Sequence, residues 1–234
     1  MNIRYIFYGG TRERHADGRI RQIGIAHNSA FQFAGKNLVR DYKNGKIQTV
    51  KIITAADLVS KLNKNAPNSI TSLDILCHGT PYSLNFSIKE NENAGLVTGW
   101  FAKQALSAYY SSWDDGVYTF SKDSRYVSEI DFNVFDKSAR IQIHGCNTAR
   151  GSMPGDTLVE ALSKELYSAG KKHAYVIGHT DKSNPNIYGT KTTIKQQDYR
   201  HGERSIYSNG KLLFQTKKSG VIQHTTIQGK ISGR

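Results

Sequence analysis

Ile70-Thr-Ser-Leu-Asp-Ile-Leu-Cys-His-Gly79 is a mostly apolar segment of strand length that ends abruptly at a glycine. A second such segment, Ala139-Arg-Ile-Gln-Ile-His-Gly-Cys146, follows later in the chain and ends in a glycine–cysteine step. Apolar runs of this length are typical of strands that are buried on both faces of a parallel sheet. The two segments therefore predict two core strands with polar side chains at their ends.

Helices are predicted between the strands. Thr54 is a candidate N-cap for a helix over 55–65, and Thr157 is one for a helix over 157–169, because an acidic residue follows each of them three positions later. Two further strands are predicted over 3–8 and 173–178. Strands that alternate with helices favour a parallel sheet with helices packed on its faces. We therefore predict an α/β protein with a three-layer α/β/α architecture and a mainly parallel central sheet.

Two Asn-Gly pairs between β-type runs predict tight hairpins. The first is Asn44-Gly45 within residues 38–53, and the second lies within residues 205–214. Between the two core strands, a helix is predicted near 98–111 and a strand over 117–120.

Length and composition place the chain among ordinary globular proteins. It has 234 residues, a formal net charge of +13 and 38% apolar residues, which excludes a disordered, collagen-like or coiled-coil chain. We predict a single domain over 1–234, with an insertion over 80–137 and a basic C-terminal hairpin region over 190–234. The charge is uneven, because residues 85–136 hold eight acidic and four basic residues.

The sequence lacks the signals of a membrane or disulfide-rich protein. No apolar run approaches the ~20 residues that a membrane span requires, and the N-terminal apolar stretch is too short for a signal peptide. We therefore expect a protein made in the cytoplasm, which would be secreted or translocated only without a cleaved signal peptide. Its two cysteines, Cys77 and Cys146, have neither the number for a disulfide framework nor the spacing of a zinc site. A reduced protein without metal or cofactor is expected.

The ends of the two core strands carry the candidate catalytic residues. One strand ends in His78-Gly79 and the other in Gly145-Cys146, and reactive groups in a parallel sheet gather beyond the carboxyl ends of the strands. A cysteine nucleophile attacks as the thiolate, which a nearby imidazole favours by lowering the thiol pKa. We predict His78 and Cys146 as a catalytic dyad, with the backbone amides of Gly79 and Cys146 as oxyanion donors.

Each of these residues also has a plain structural interpretation. A lone buried cysteine is usually inert packing, and a lone histidine is usually a hydrogen-bonded core residue. The matching positions of His78 and Cys146 at two strand ends favour the functional interpretation. Cys77 is expected to point to the opposite face of its strand and to lie in the core.

The two strand ends resemble those of the caspase-fold cysteine peptidases, in which one apolar strand leads into His-Gly and another into the nucleophilic cysteine. The continuations, Gly-Thr-Pro-Tyr-Ser-Leu after His78 and Asn-Thr-Ala after Cys146, are most similar to bacterial CHAT-like members and to the self-processing protease domains of toxins. The likeness covers about residues 70–180. It implies a caspase-like fold and a thiol protease, with Cys146 as the nucleophile and His78 as the general base or acid. It further implies cleavage of a protein substrate or of the chain itself, as in a bacterial effector or toxin.

Three other residues near the dyad have alternative roles. His144 lies on the same side of its strand as Cys146, so it is either a second imidazole of the substrate-binding site or a structural residue. Asp156 lies where some relatives place an acid that selects basic P1 side chains, but it also precedes the Thr157 cap, where it can interact with the helix dipole. Asp74 shares the strand face of His78, and no third catalytic residue is identified.

The resemblance also implies a ligand. In the toxin protease domains, a basic surface with a C-terminal β-flap binds inositol hexakisphosphate, which activates the enzyme. Clustered lysines and arginines can hold such a polyphosphate by charge-assisted hydrogen bonds, and the alternative is a solvated basic face. The candidate polyanion-binding residues are Lys191, Lys195, Arg200, Arg204, Lys211, Lys217 and Lys218.

The leading hypothesis is thus a cysteine endopeptidase that acts on a protein substrate. The same Cys–His chemistry can deamidate glutamine or transfer an acyl group, so a deamidase or acyltransferase toxin is the first alternative. The second alternative is a non-enzymatic basic module that binds nucleic acid or another polyanion. The 13 tyrosines offer stacking groups for nucleic acid, but the sequence contains no recognised nucleic-acid motif.

Overall fold

A seven-stranded sheet forms the centre of the protein, as a computed structural model describes it. The described residues are 2–9, 13–14, 20–21, 25–42, 45–89, 92–97, 125–151 and 157–233. Their strands are, in chain order, β1 (Ile3–Tyr8), β2 (Glu13–Arg14), β3 (Ile20–Arg21), β4 (Lys46–Lys51), β5 (Ile70–Leu76), β6 (His78–Gly79), β7 (Ser83–Lys89), β8 (Glu92–Val97), β9 (Arg125–Tyr126), β10 (Phe135–Ile143), β11 (Tyr175–His179), β12 (Arg204–Ser208) and β13 (Lys211–Thr216).

The central sheet is mainly parallel. Its strand order is β13-β12-β11-β10-β5-β1-β4. The five strands β4, β1, β5, β10 and β11 run parallel to one another. Strand β12 runs antiparallel to β11, and β13 runs antiparallel to β12. The direction of strand progression reverses between β1 and β5, because the chain first goes from β1 to β4 and then returns to the other side of β1. Ligands bind at such a switch point in open α/β sheets, beyond the carboxyl ends of the strands.

Helices cover both faces of this sheet. They are α1 (Ile25–Val39), α2 (Ala55–Asn63), α3 (Leu158–Ser168) and α4 (His224–Ser232). Helices α2 and α3 pack with the alternate residues of β1, β5 and β10 in the largest hydrophobic cluster. On the opposite face, α1 packs on β1 and β5, and α4 packs on β11 and β12. The predicted α/β class and the mainly parallel sheet are confirmed. None of the described helices is long and apolar enough to span a bilayer.

The predicted helix caps are present. Thr54 accepts from the amide of Asp57, whose carboxylate accepts from the amide of Thr54 in return, and Thr157 and Glu160 form the same reciprocal pair at α3. The C-terminal hairpin is also confirmed: β12 and β13 are joined at Asn209-Gly210, and both residues have positive φ angles, of 51° and 66°. This is the backbone of the tight turn that Asn-Gly favours.

The predicted hairpin at Asn44-Gly45 is wrong. Residues 38–39, at the start of the predicted hairpin, belong to α1 rather than to a strand, and β4 pairs with β1 in parallel. The chain therefore makes a β1–α1–β4 crossover, in which the helix packs on the sheet, instead of a local antiparallel turn. Gly45 has a φ of +93°, which glycine adopts readily, and it lies in the connection between the helix and the strand.

A smaller four-stranded sheet, in the order β6-β7-β8-β9, follows the end of β5. Strand β6 begins only two residues after β5 ends, so the small sheet starts at the carboxyl edge of the large one. The helix predicted near 98–111 and the strand predicted over 117–120 lie outside the described residues.

Candidate active site

The carboxyl ends of β5 and β10 are in contact. The amide of His144 extends the parallel ladder by donating to the carbonyl of Ile75 at 2.8 Å. Beyond the ladder, Gly145 lies against Gly79, since a Cβ added to Gly145 would be 3.1 Å from the Cα of Gly79. The two strand ends that the sequence singled out therefore touch through their backbones.

A side chain at Gly145 is expected to disturb this contact. Its Cβ would lie 3.1 Å from Gly79 Cα and 3.2 Å from the carbonyl oxygen of Cys77, and neither backbone can move aside as a flexible side chain can. We expect Gly145→Ala to lower the free energy of unfolding by about 1–3 kcal/mol, as measured by urea denaturation. The control is Gly229→Ala in α4, where no described atom outside the helix comes within 4 Å of the new Cβ. A Gly145→Ala variant as stable as the control would contradict this prediction.

The thiol of Cys146 is half-buried and lies against Ser183. The Ser183 amide donates to Sγ at 3.3 Å, and Sγ is 3.6 Å from the hydroxyl oxygen and 3.8 Å from the carbonyl oxygen of the same residue. Cys77, in contrast, is 1% exposed and packs in the large hydrophobic cluster on the other face of the sheet. Burial raises the pKa of the Cys77 thiol, so its predicted place in the core is confirmed.

His78 lies in β6, half-buried against an aromatic wall. The ring of Phe31, from α1, meets the imidazole edge-on with centroids 5.4 Å apart, and the Tyr199 ring stacks on Phe31 at 5.5 Å. Burial, together with the nearby thiols of Cys146 and Cys77, raises the pKa of Tyr199. Phe31 and Tyr199 therefore form one aromatic pair beside His78, and Phe31 packs directly against the imidazole.

A buried ion-pair network lies behind Cys146. Asp74 accepts from His144 Nε2 at 3.0 Å and from Arg140 at 2.7 Å, and the hydroxyl of Tyr42 also bonds to it. Burial disfavours the charge on Asp74, but Arg140 and the hydrogen bonds from His144 and Tyr42 outweigh it and hold its pKa below the usual range. Burial lowers the pKa of His144. The network thus holds a charged carboxylate against a charged guanidinium and a neutral imidazole.

The structure favours one of the two roles considered for His144. Its side chain is completely buried and bonds to Asp74, so the ring does not reach a surface where a substrate could bind. Burial of this kind is typical of a structural residue. Asp156, the other candidate for substrate binding, lies outside the described residues.

The candidate polyanion-binding residues fall into two groups. Arg200 and Arg204 are buried: Arg200 pairs with Asp41 and Asp198, and Arg204 donates to the backbone carbonyls of Lys218 and Gly220. Both guanidinium groups are therefore engaged within the fold. The five lysines of the set are exposed: Lys191, Lys195, Lys211, Lys217 and Lys218.

The five exposed lysines do not form one cluster. The backbone carbonyl of Lys195 accepts a hydrogen bond from Arg40, which directly follows α1. Lys211, in contrast, is the first residue of β13, at the far edge of the sheet. Four strand spacings, each about 4.8 Å, separate β13 from β5. The lysines therefore lie in at least two places rather than on one surface.

Sequence reasoning missed Phe31, Ser183 and Tyr199. Phe31 lies in a helix that the sequence analysis did not predict, and the other two lie in the long connection between β11 and β12. Ser183 follows Cys146 by 37 residues, and no spacing pattern in the sequence links them.

Among the described residues, no group of three histidine, cysteine or acidic side chains could hold a metal ion. A scan against models of protein families, a search of curated proteins and a search of solved structures each found no match to this chain.

Proposed function

We propose that this protein is a cysteine endopeptidase in which Cys146 is the nucleophile and His78 the general base and acid. The observation that carries the proposal is the backbone contact between the two strand ends, in which Gly145 lies against Gly79. It joins the two chain segments that carry a half-buried thiol and a half-buried imidazole, at the carboxyl edge of a parallel sheet, where binding sites of open α/β proteins are found.

The proposed reaction is acyl transfer to the thiol. His78 accepts the Sγ proton, and the thiolate attacks the carbonyl carbon of the substrate peptide bond. The amides of Gly79 and Cys146 would donate to the oxyanion of the tetrahedral intermediate. The imidazolium then returns its proton to the leaving amine, and His78 activates a water molecule that hydrolyses the thioester.

The proposal extends to the caspase-like fold group. Its support is the coarser architecture, a mainly parallel sheet with helices on both faces, together with the adjacent placement of β5, which leads to His78-Gly79, and β10, which leads to Gly145-Cys146. In this assignment α3, which follows the nucleophile, and β11 form the next crossover unit of the sheet.

The test is the pH dependence of iodoacetamide labelling, followed by peptide mass spectrometry at each cysteine. In the wild type, we expect a Cys146 labelling midpoint below about 8.5, the ordinary thiol value. His78→Ala is expected to raise that midpoint and to slow labelling at pH 7 by about 10- to 100-fold. The buried Cys77 is the internal control, because it should stay slow throughout.

His173→Ala is the matched control variant, since His173 is an exposed histidine of the same chain. It should leave the Cys146 profile at the wild-type midpoint. A His78→Ala profile that coincides with the wild type would refute the dyad. Where the dyad is supported, Cys146→Ala and wild type are compared on a peptide library. Cleavage yields two fragments. Deamidation leaves one chain with a slightly higher mass, and acyl transfer leaves one chain that is heavier still.

A further inference from the structure

The segment that follows β11 comes back to the nucleophile and contacts it through Ser183. The Ser183 amide donates to Cys146 Sγ at 3.3 Å. The Ser183 hydroxyl donates at 2.8 Å to the carbonyl of His144, two residues before the cysteine. One serine thus bonds both to the thiol and to the strand that carries it.

Further hydrogen bonds hold the backbone directly after Cys146 and the backbone shortly before Ser183. Asn147, directly after the nucleophile, donates its amide to the carbonyl of Asp181 at 3.0 Å. The hydroxyl of Thr180 bonds to the carboxylate of Glu203 at 3.0 Å, and its amide bonds to the carbonyl of the same residue. The returning segment is therefore held up to Asp181, and the Ser183 hydroxyl, two residues further on, supplies the next anchor on the His144 carbonyl.

The backbone of Asn147 contributes to this arrangement. It adopts a left-handed conformation with φ of 57°, which asparagine tolerates better than most residues. The chain therefore turns directly after Cys146, at the residue whose amide bonds to the segment before Ser183. Strand end, turn and returning segment form one hydrogen-bonded unit around the sulfur.

We propose that Ser183 is a positioning residue for Cys146: its hydroxyl fixes the returning segment on the His144 carbonyl, and its amide donates to the thiolate. This inference rests on the proposed function. A hydrogen bond to an ionised sulfur is stronger than one to the neutral thiol, so an amide held at this place favours the thiolate. His78 takes up the proton, while Ser183 stabilises the charge left on Sγ.

The hydroxyl is the part of Ser183 that substitution can remove. Ser183→Ala retains the amide but loses the bond that holds it, so the amide is no longer fixed at the sulfur. We expect the midpoint of the Cys146 labelling profile to rise by about half to one pH unit, and labelling at pH 7 to slow by about 3- to 10-fold. Labelling at pH 9.5, where the thiol is ionised in both proteins, should differ by less than about twofold.

Two variants separate positioning from general loss of stability. Ser208→Ala removes the hydroxyl of another serine, the buried Ser208 in β12, which donates to the backbone carbonyl of Ala174 at 2.9 Å, away from the sulfur. It should lower the melting temperature without moving the labelling midpoint. Ser183→Thr retains a hydroxyl and should restore the wild-type midpoint.

The outcomes decide the two proposals independently. A Ser183→Ala midpoint equal to that of Ser208→Ala overturns the positioning role, even where His78→Ala confirms the dyad. A raised midpoint in Ser183→Ala that Ser183→Thr does not restore also overturns it, because the hydroxyl would then not be the cause. Failure of the dyad is read from His78→Ala alone.

Discussion

Asp74→Asn is expected to lower the free energy of unfolding by about 3–5 kcal/mol, because it leaves a buried guanidinium without its counter-charge. Asp74 is completely buried and accepts from both Arg140 and His144. The asparagine has nearly the same size, so the loss reports charge and hydrogen bonding rather than a cavity. Removing one partner of a buried ion pair is far more harmful than removing the pair, since the remaining charge stays desolvated.

The matched control is Asp41→Asn. Asp41 also pairs with a buried arginine, Arg200, but the Asp41 side chain is 41% exposed and Arg200 keeps a second carboxylate, that of Asp198, so we expect a loss of only about 0–1 kcal/mol. Urea denaturation at pH 7 measures both variants. Equal destabilisation of the two would contradict the role given to the buried network, because burial is the property that distinguishes the two aspartates.

Acidification below pH 6.5 is expected to destabilise the protein through its buried histidines. Burial, reinforced by the nearby guanidinium of Arg204, lowers the pKa of His179 to about 3. The unfolded chain takes up this proton near pH 6.5 and the folded chain does not, so stability falls as the pH falls between those values. The loss from His179 is about 1.4 kcal/mol per pH unit. His144, whose pKa burial also lowers, adds a loss of the same sign.

Urea denaturation at pH 7.5 and pH 4.5 measures this effect. By pH 4.5 the expected loss from His179 alone is about 3 kcal/mol. His179→Gln should reduce the difference between the two pH values, whatever its effect at pH 7.5, because glutamine does not titrate. His173→Gln, at an exposed position, should retain the wild-type difference. A His179→Gln protein with the same acid sensitivity as wild type would rule out this cause.

The structural features that the amino-acid sequence predicted correctly are local ones, each determined by a few neighbouring residues. The caps at Thr54 and Thr157 each join residues three positions apart, and the turn at Asn209-Gly210 needs only two residues with positive φ. The glycines at the two strand ends mark a backbone contact between β5 and β10, although only the folded sheet brings these strands together.

Helix α1 was missed although its sequence carries a signal. Phe31, Ala34 and Leu38 are buried on one side of it and have helical spacing. The Asn-Gly pair that follows is a strong local signal for a hairpin, but the packing of α1 on the sheet overrides it. Propensity over a few residues is a weak guide where tertiary contacts decide the outcome.

The rest of the candidate site depends on contacts between distant parts of the chain. Ser183 reaches Cys146 only because β11 lies beside β10 and the chain then turns back over the sheet edge. Tyr199 meets Phe31 across an even longer separation in sequence. Neither residue belongs to a periodic segment, so its role follows from topology and not from any pattern near it.

The contact between Gly79 and Gly145 also constrains when the site forms during folding. The two glycines are separated by the whole of residues 80–144, and closing so long a loop carries an entropy loss that only the completed β5–β10 ladder offsets. In a chain growing from the ribosome, His78 is therefore synthesised long before Cys146, and the segment with Ser183 comes later still. Until the nonlocal strands have paired, the nascent protein lacks the contact between Gly79 and Gly145 on which the proposed function rests.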